Sequence, residues 1–120
     1  MAVKHVDLET VNYTPQTSDN DIIVEVQIGD AADEDGSYSV SLGPRFISAN
    51  APANIGKKAD VTGKTTVVSV TIVDTLTETN WTSMTVFVRE GGGLVTYGPY
   101  SEQVDNDLDT IVYTLKITNS

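Results

Sequence analysis

Apolar and polar residues alternate with a period of two through most of this 120-residue chain. Few patterns constrain folding more tightly. A two-residue repeat puts its apolar members on one side of a strand and gives a helix no coherent face. In "DIIVEVQI", Ile22, Val24, Val26 and Ile28 oppose Glu25 and Gln27. In "SYSVSL", Tyr38, Val40 and Leu42 alternate with serines, and in "TTVVSVTIV", Thr66, Val68, Val70 and Ile72 oppose Val67, Ser69, Thr71 and Val73. Met84, Val86 and Val88 oppose Thr85, Phe87 and Arg89; Ile111, Tyr113, Leu115 and Ile117 oppose Val112, Thr114 and Lys116. Each reads as a half-buried strand with one face on a core, and the richness in Val, Ile and Thr suits a pleated surface. No window carries a 3.6-residue period, so little or no helix is expected.

The N-terminal run "VKHVDLETVNYT" reads as a further strand whose phase slips. Val6 and Leu8 share one parity, Val11 and Tyr13 the other, which implies a bulge or a change of sheet near Glu9–Thr10. "REGGGLVTY" joins two apolar runs through three glycines, a hairpin signal. "GPRFISANAPANIGKK" is the longest irregular piece, with too few bulky residues for a core strand, and "ADVTGKT" is a short edge strand or a turn. Regularly spaced short strands with turn signals point to an all-β chain: one antiparallel β-sandwich of seven or eight strands over residues 1–120. The pattern broadly resembles the immunoglobulin fold, without its Cys…Trp…Cys framework, and a fold-level resemblance carries no function.

Composition narrows the chemistry. The chain has no cysteine, so disulfides and thiolate metal sites are excluded. Its net charge is −10, and its seven bases are scattered apart from the pair Lys57–Lys58. A phosphate backbone requires clustered Lys and Arg, so nucleic acid is not an expected partner. No apolar run is long enough to span a bilayer as a helix, so no membrane insertion is expected, and no signal peptide is visible in "MAVKHVDLET". The compartment stays open. The sequons at Asn12 and Asn80 matter only in a secretory setting.

The acidic stretch "GDAADEDGSYSVSL" raises the question of calcium. With Gly36 at the sixth position of an EF-hand loop, Ala31 falls at the first and Leu42 at the twelfth, where ligands are needed. "DNDLDT" fails likewise, with Lys116 at the twelfth. A looser site remains open, in which loops at one end of a sandwich pool Asp30, Asp33, Asp35, Asp105, Asp107 and Asp109, with Asp74 and Glu78 nearby. These loops share an end only if residues 57–62 form no full crossing strand. The alternative is a solvated turn, since Asp, Asn and Gly are turn residues by nature. No cofactor is required, and Ca²⁺ is the one candidate.

Catalysis is not expected. His5 is the only histidine, with no cysteine to pair with and no visible triad. "GKTT" lacks the upstream glycine of a P-loop, and "GGGL" precedes a strand. Three aromatics, Trp81, Tyr97 and Tyr100, would suit a carbohydrate or a protein partner if they lay together. The favoured reading of Trp81 is that it caps one end of the core, since Trp is highly buried on average. Phe87, off-phase with its neighbours like Val67 and Val73, suggests an outward apolar patch, which means either a covered face or an oligomer contact. The expectation is a non-enzymatic binding or assembly module, with calcium-dependent adhesion and carbohydrate binding as alternatives.

Overall fold

The structure is a computed structural model that describes residues 2–29, 35–73, 81–106 and 108–120, with Asp35 described by its backbone alone. The described residues are nearly all β, 68% strand and 4% helix, in two sheets. The strands run β1 (Val3–Asp7), β2 (Val11–Tyr13), β3 (Ile22–Ile28), β4 (Asp35–Leu42), β5 (Arg45–Ala49), β6 (Ala53–Gly56), β7 (Thr65–Val73), β8 (Trp81–Glu90), β9 (Gly93–Gln103) and β10 (Thr110–Asn119), with a one-turn helix α1 (Lys58–Val61) between β6 and β7. One sheet has the order β1-β10-β7-β4-β5, with β2 also on β10; the other has the order β6-β3-β8-β9.

The alternation does what period two requires. Thr66, Val68, Val70 and Ile72 of β7 are buried, as are Ile111, Tyr113, Leu115 and Ile117 of β10 and Met84, Val86 and Val88 of β8. They meet Ile22, Val24, Val40 and Leu42 in one apolar cluster between the sheets. Truncating a fully buried member such as Leu115 to Ala would cost about 2–5 kcal/mol.

The expected strand count of seven or eight is corrected to ten among the described residues, for two reasons. The N-terminal strand is split. Asp7 pairs with Thr114 and Val11 with Ile117, so three residues of the first strand span two of the second. That extra residue is the phase slip read between Val6 and Tyr13. Both pieces lie parallel to β10, so the assembly is not purely antiparallel. The stretch read as irregular supplies β5 and β6. Ala53 and Ile55 are buried there, because a short edge strand contributes to the core with small side chains. "ADVTGKT" begins with the single helical turn. At the expected glycine hairpin, Glu90 pairs with Gly93 across a two-residue turn whose first residue, Gly91, has φ +58°. A side chain is disfavoured there.

Candidate functional site

Strand β8 sets which aromatics share a face. Thr82, Met84, Val86 and Val88 are buried toward the core, so Trp81, Thr85, Phe87 and Arg89 point outward. Trp81 is 54% exposed and does not cap the core. Phe87 is half-buried between its register partners Glu25 and Thr96, and the exposed Leu94 pairs with Arg89 beside it. Arg89 Nε stands 3.4 Å from Glu25 Oε1, so the two formal charges of this area answer each other. A groove of about 500 Å³ runs past Phe87 between Glu25, Gln27 and Gly36. Trp81 and Phe87 lie on one face, about 20 Å apart at the rise of an extended strand. The off-phase Val67 and Val73 belong to the other sheet and do not join them.

Tyr97 and Tyr100 face the other way. Their register partners are the buried Val86 and Met84, and both rings pack against the core. Between Met84 and Val86 the partner strand advances from Tyr100 to Tyr97, one residue too many, which is a bulge in β9. Tyr97 Oη donates to the Asn12 carbonyl at 3.0 Å, closing the edge between β9 and β2. Burial pushes both hydroxyls above their ordinary pKa. Trp81, Tyr97 and Tyr100 therefore form no common platform.

The acidic positions divide. Asp30, Asp33 and Asp107 lie outside the described residues, as do Asp74, Glu78 and the side chain of Asp35. Asp109 is buried and committed: Oδ1 accepts from Ala2 N at 2.9 Å and Oδ2 from Asn106 N at 3.1 Å. The Ala2 bond, supported by Asn106, holds its carboxyl below the usual range against the effect of burial. It staples β1 to the turn before β10. Asp105 is exposed on the same turn. Among the described residues, no three of His, Cys, Asp and Glu gather as a metal site would need. Residues 57–62 hold the one-turn α1 and no crossing strand, and β5 and β6 add two crossings that cancel in parity. Asp35 and Thr110 both pair with Val73, and Trp81 pairs with Gln103 beside Gly29, whose N–H donates to Ser83 O. The strand ends flanking all three acidic loops thus lie at one end of the molecule. His5 sits exposed on the edge strand β1.

One polar cluster went unread. Glu90 is 5% exposed, on the inward face of β8. Its carboxylate accepts from Tyr13 Oη at 2.5 Å, Gln16 N at 2.9 Å, Thr17 N at 2.7 Å and Thr17 Oγ1 at 3.2 Å. Burial alone would raise its pKa, but these four donors outweigh it and the carboxyl is held low. Burial, with Glu90 adding to it, pushes the Tyr13 hydroxyl far up. The signal was present: Glu90 continues the phase of Met84, Val86 and Val88, an acid on a buried face. Its donors all come from residues 13–17, so Glu90 anchors the passage from β2 to β3.

Set beside known proteins, the chain matches no family model, no curated protein and no solved structure.

Proposed function

We propose that this protein is a non-catalytic, immunoglobulin-like β-sandwich module that works by surface contact, through the outer face of β3, β8 and β9, and that the occupant of that face is a second copy of the chain. The carrying observation is the 54% exposed Trp81 on the same outward face as Phe87 and Leu94, in a region whose charges, Glu25 and Arg89, are paired. Two copies of net charge −10 repel, and an electrically neutral face is where they approach at least cost. Three strands about 4.8 Å apart and about 27 Å long give a footprint of about 400 Å² per copy. The total of about 800 Å² lies at the weak, transient end of specific interfaces. Sedimentation velocity tests this. The mass should rise with concentration toward a dimer, more readily in high salt, which screens the repulsion. Trp81→Arg with Phe87→Ser should abolish the rise and lower the thermal melt by only a few degrees, from the half-buried Phe87. A monomer at all concentrations up to about 1 mM would refute this reading.

The shared end of the three acidic loops supports a second reading, a calcium-dependent module. A ligand that binds only the folded state stabilises it by about 2.7 kcal/mol at one hundred times Kd. Melts in EDTA, millimolar Ca²⁺ and millimolar Mg²⁺ should then show a rise specific to Ca²⁺; equal midpoints would remove this reading.

A further inference from the structure

The opposite end of the molecule carries a different feature, independent of the contact face. A cleft of about 850 Å³ opens between the tip of the β4–β5 hairpin, the end of β6 and α1. Its floor is apolar, from Leu42, Ile47 and Ile55.

Its walls carry opposite charges. Leu42 is buried toward the core, and its register partners are Arg45 on one side and the buried Thr66 on the other. Residues paired across strands share a face, so Arg45 points to the inter-sheet side. Lys64 lies two residues before Thr66, and both cations line the cleft. Asp21 and Asp60 line it too, and they come from the other sheet's side, Asp21 just before β3 and Asp60 in α1 after β6, whereas Arg45 and Lys64 adjoin β5 and β7. Each acid is held in place: Asp21 Oδ1 accepts from Lys57 Nζ at 2.8 Å, and Asp60 Oδ2 accepts from Lys57 N at 2.9 Å. Gly56, at φ +111°, leaves the room Asp60 occupies, since a Cβ there would stand 2.9 Å from the Asp60 carboxylate. Among the described residues, no ion pair joins Arg45 or Lys64 to either acid. The two walls therefore hold their charges apart across a space of the size that takes small molecules.

We propose that this cleft binds a small zwitterion, a molecule with a carboxylate and an amine on an apolar body, of the free α-amino-acid class. The carboxylate meets Arg45 and Lys64, and a guanidinium fork suits a carboxylate's two oxygens. The amine meets Asp21 and Asp60, whose carboxylates retain acceptor capacity. The apolar body lies on Leu42, Ile47 and Ile55. An anion without an amine leaves Asp60 without a cation and Asp21 with Lys57 alone, and enters the field of a −10 chain; a bare amine leaves the two cations unanswered.

The test is titration of the ¹⁵N-labelled protein with leucine, with 4-methylpentanoate, which lacks the amine, with isopentylamine, which lacks the carboxylate, and with leucyl-leucine, whose charges are further apart. Leucine should shift the amides of Leu42, Gly43, Arg45 and residues 54–56, with the dipeptide and each single-charge analogue at least about tenfold weaker. Arg45→Gln with Lys64→Gln should abolish the shifts. Both side chains are exposed, so the variant should fold, which its melt verifies; should it not, Lys64→Gln alone and the analogue comparison still decide. No shift with leucine up to about 10 mM, equal shifts with leucyl-leucine or 4-methylpentanoate, or binding retained without the two cations would overturn the proposal.

Discussion

Replacing Glu90 with Gln changes one atom of the side chain and should destabilise the protein more than any surface substitution. The carboxylate receives Tyr13 Oη, Gln16 N, Thr17 N and Thr17 Oγ1. A carboxamide keeps one acceptor oxygen, enough for Tyr13 and one backbone N–H. Its NH₂ then confronts the second N–H, donor against donor. One buried donor left without an acceptor costs about 1–3 kcal/mol, and losing the charge weakens the remaining bonds by about 1 kcal/mol more. The expected loss is about 2–4 kcal/mol, or about 8–16 °C at about 4 °C per kcal/mol for a domain of this size. Urea unfolding at pH 7 measures it. Tyr13→Phe, which leaves the backbone donors satisfied, should cost about 1 kcal/mol. In a double-mutant cycle the two changes should couple, because they share a partner. The sign of the pH effect is fixed. The folded carboxyl is held low, so its stabilisation is full above the unfolded pKa of about 4.3 and is lost as pH falls through the folded value. The gap between wild type and Glu90→Gln should therefore narrow below about pH 4. A variant within about 0.5 kcal/mol of wild type at pH 7 would refute the reasoning.

Three further outcomes are expected. Tyr113→Phe should cost about 1–2 kcal/mol in urea unfolding: Thr82 Oγ1 gives its proton to Glu102 O at 2.8 Å and so accepts from Tyr113 Oη at 2.8 Å, leaving a buried hydroxyl short of a donor in the variant. Gly56→Ala should cost about 1–3 kcal/mol from its φ of +111° alone and should displace Asp60, seen as altered amide shifts in α1. Asp109→Asn, able to answer only one of Ala2 N and Asn106 N as an acceptor, should speed hydrogen exchange in β1 while leaving β8 protected.

Most of the fold was legible because it rests on periodicity. Strands β3, β4, β7, β8 and β10 follow from alternation alone, and the phase slip near Glu9–Thr10 announced the break between β1 and β2. Strands β5 and β6 were missed because Ala53 and Ile55 are too few to make a pattern. What the sequence could not show was which residues meet. Tyr97 and Tyr100 turn to the core because of one extra residue in β9, and no single-strand reading detects a bulge that exists only relative to its partner. Arg45 became part of a cleft only once β5 existed. Glu90 was detectable, since an acid in phase with Met84, Val86 and Val88 asks what satisfies it; its donors, from residues 13–17, lie more than seventy positions away.

The parallel docking of β1 and β2 on β10 sets an order of events during synthesis. Val3 pairs with Thr110 and Tyr13 with Asn119, so β1 and β2 must wait about a hundred residues for β10. Until residues 110–119 leave the ribosome, β7 has a bare edge and the N-terminal segment has no ladder to join. Closing contacts of such long range is slow, and unpaired edges invite wrong partners meanwhile. Charged side chains on an edge discourage wrong pairing, and this segment carries three, Lys4, Asp7 and Glu9, in its first nine residues.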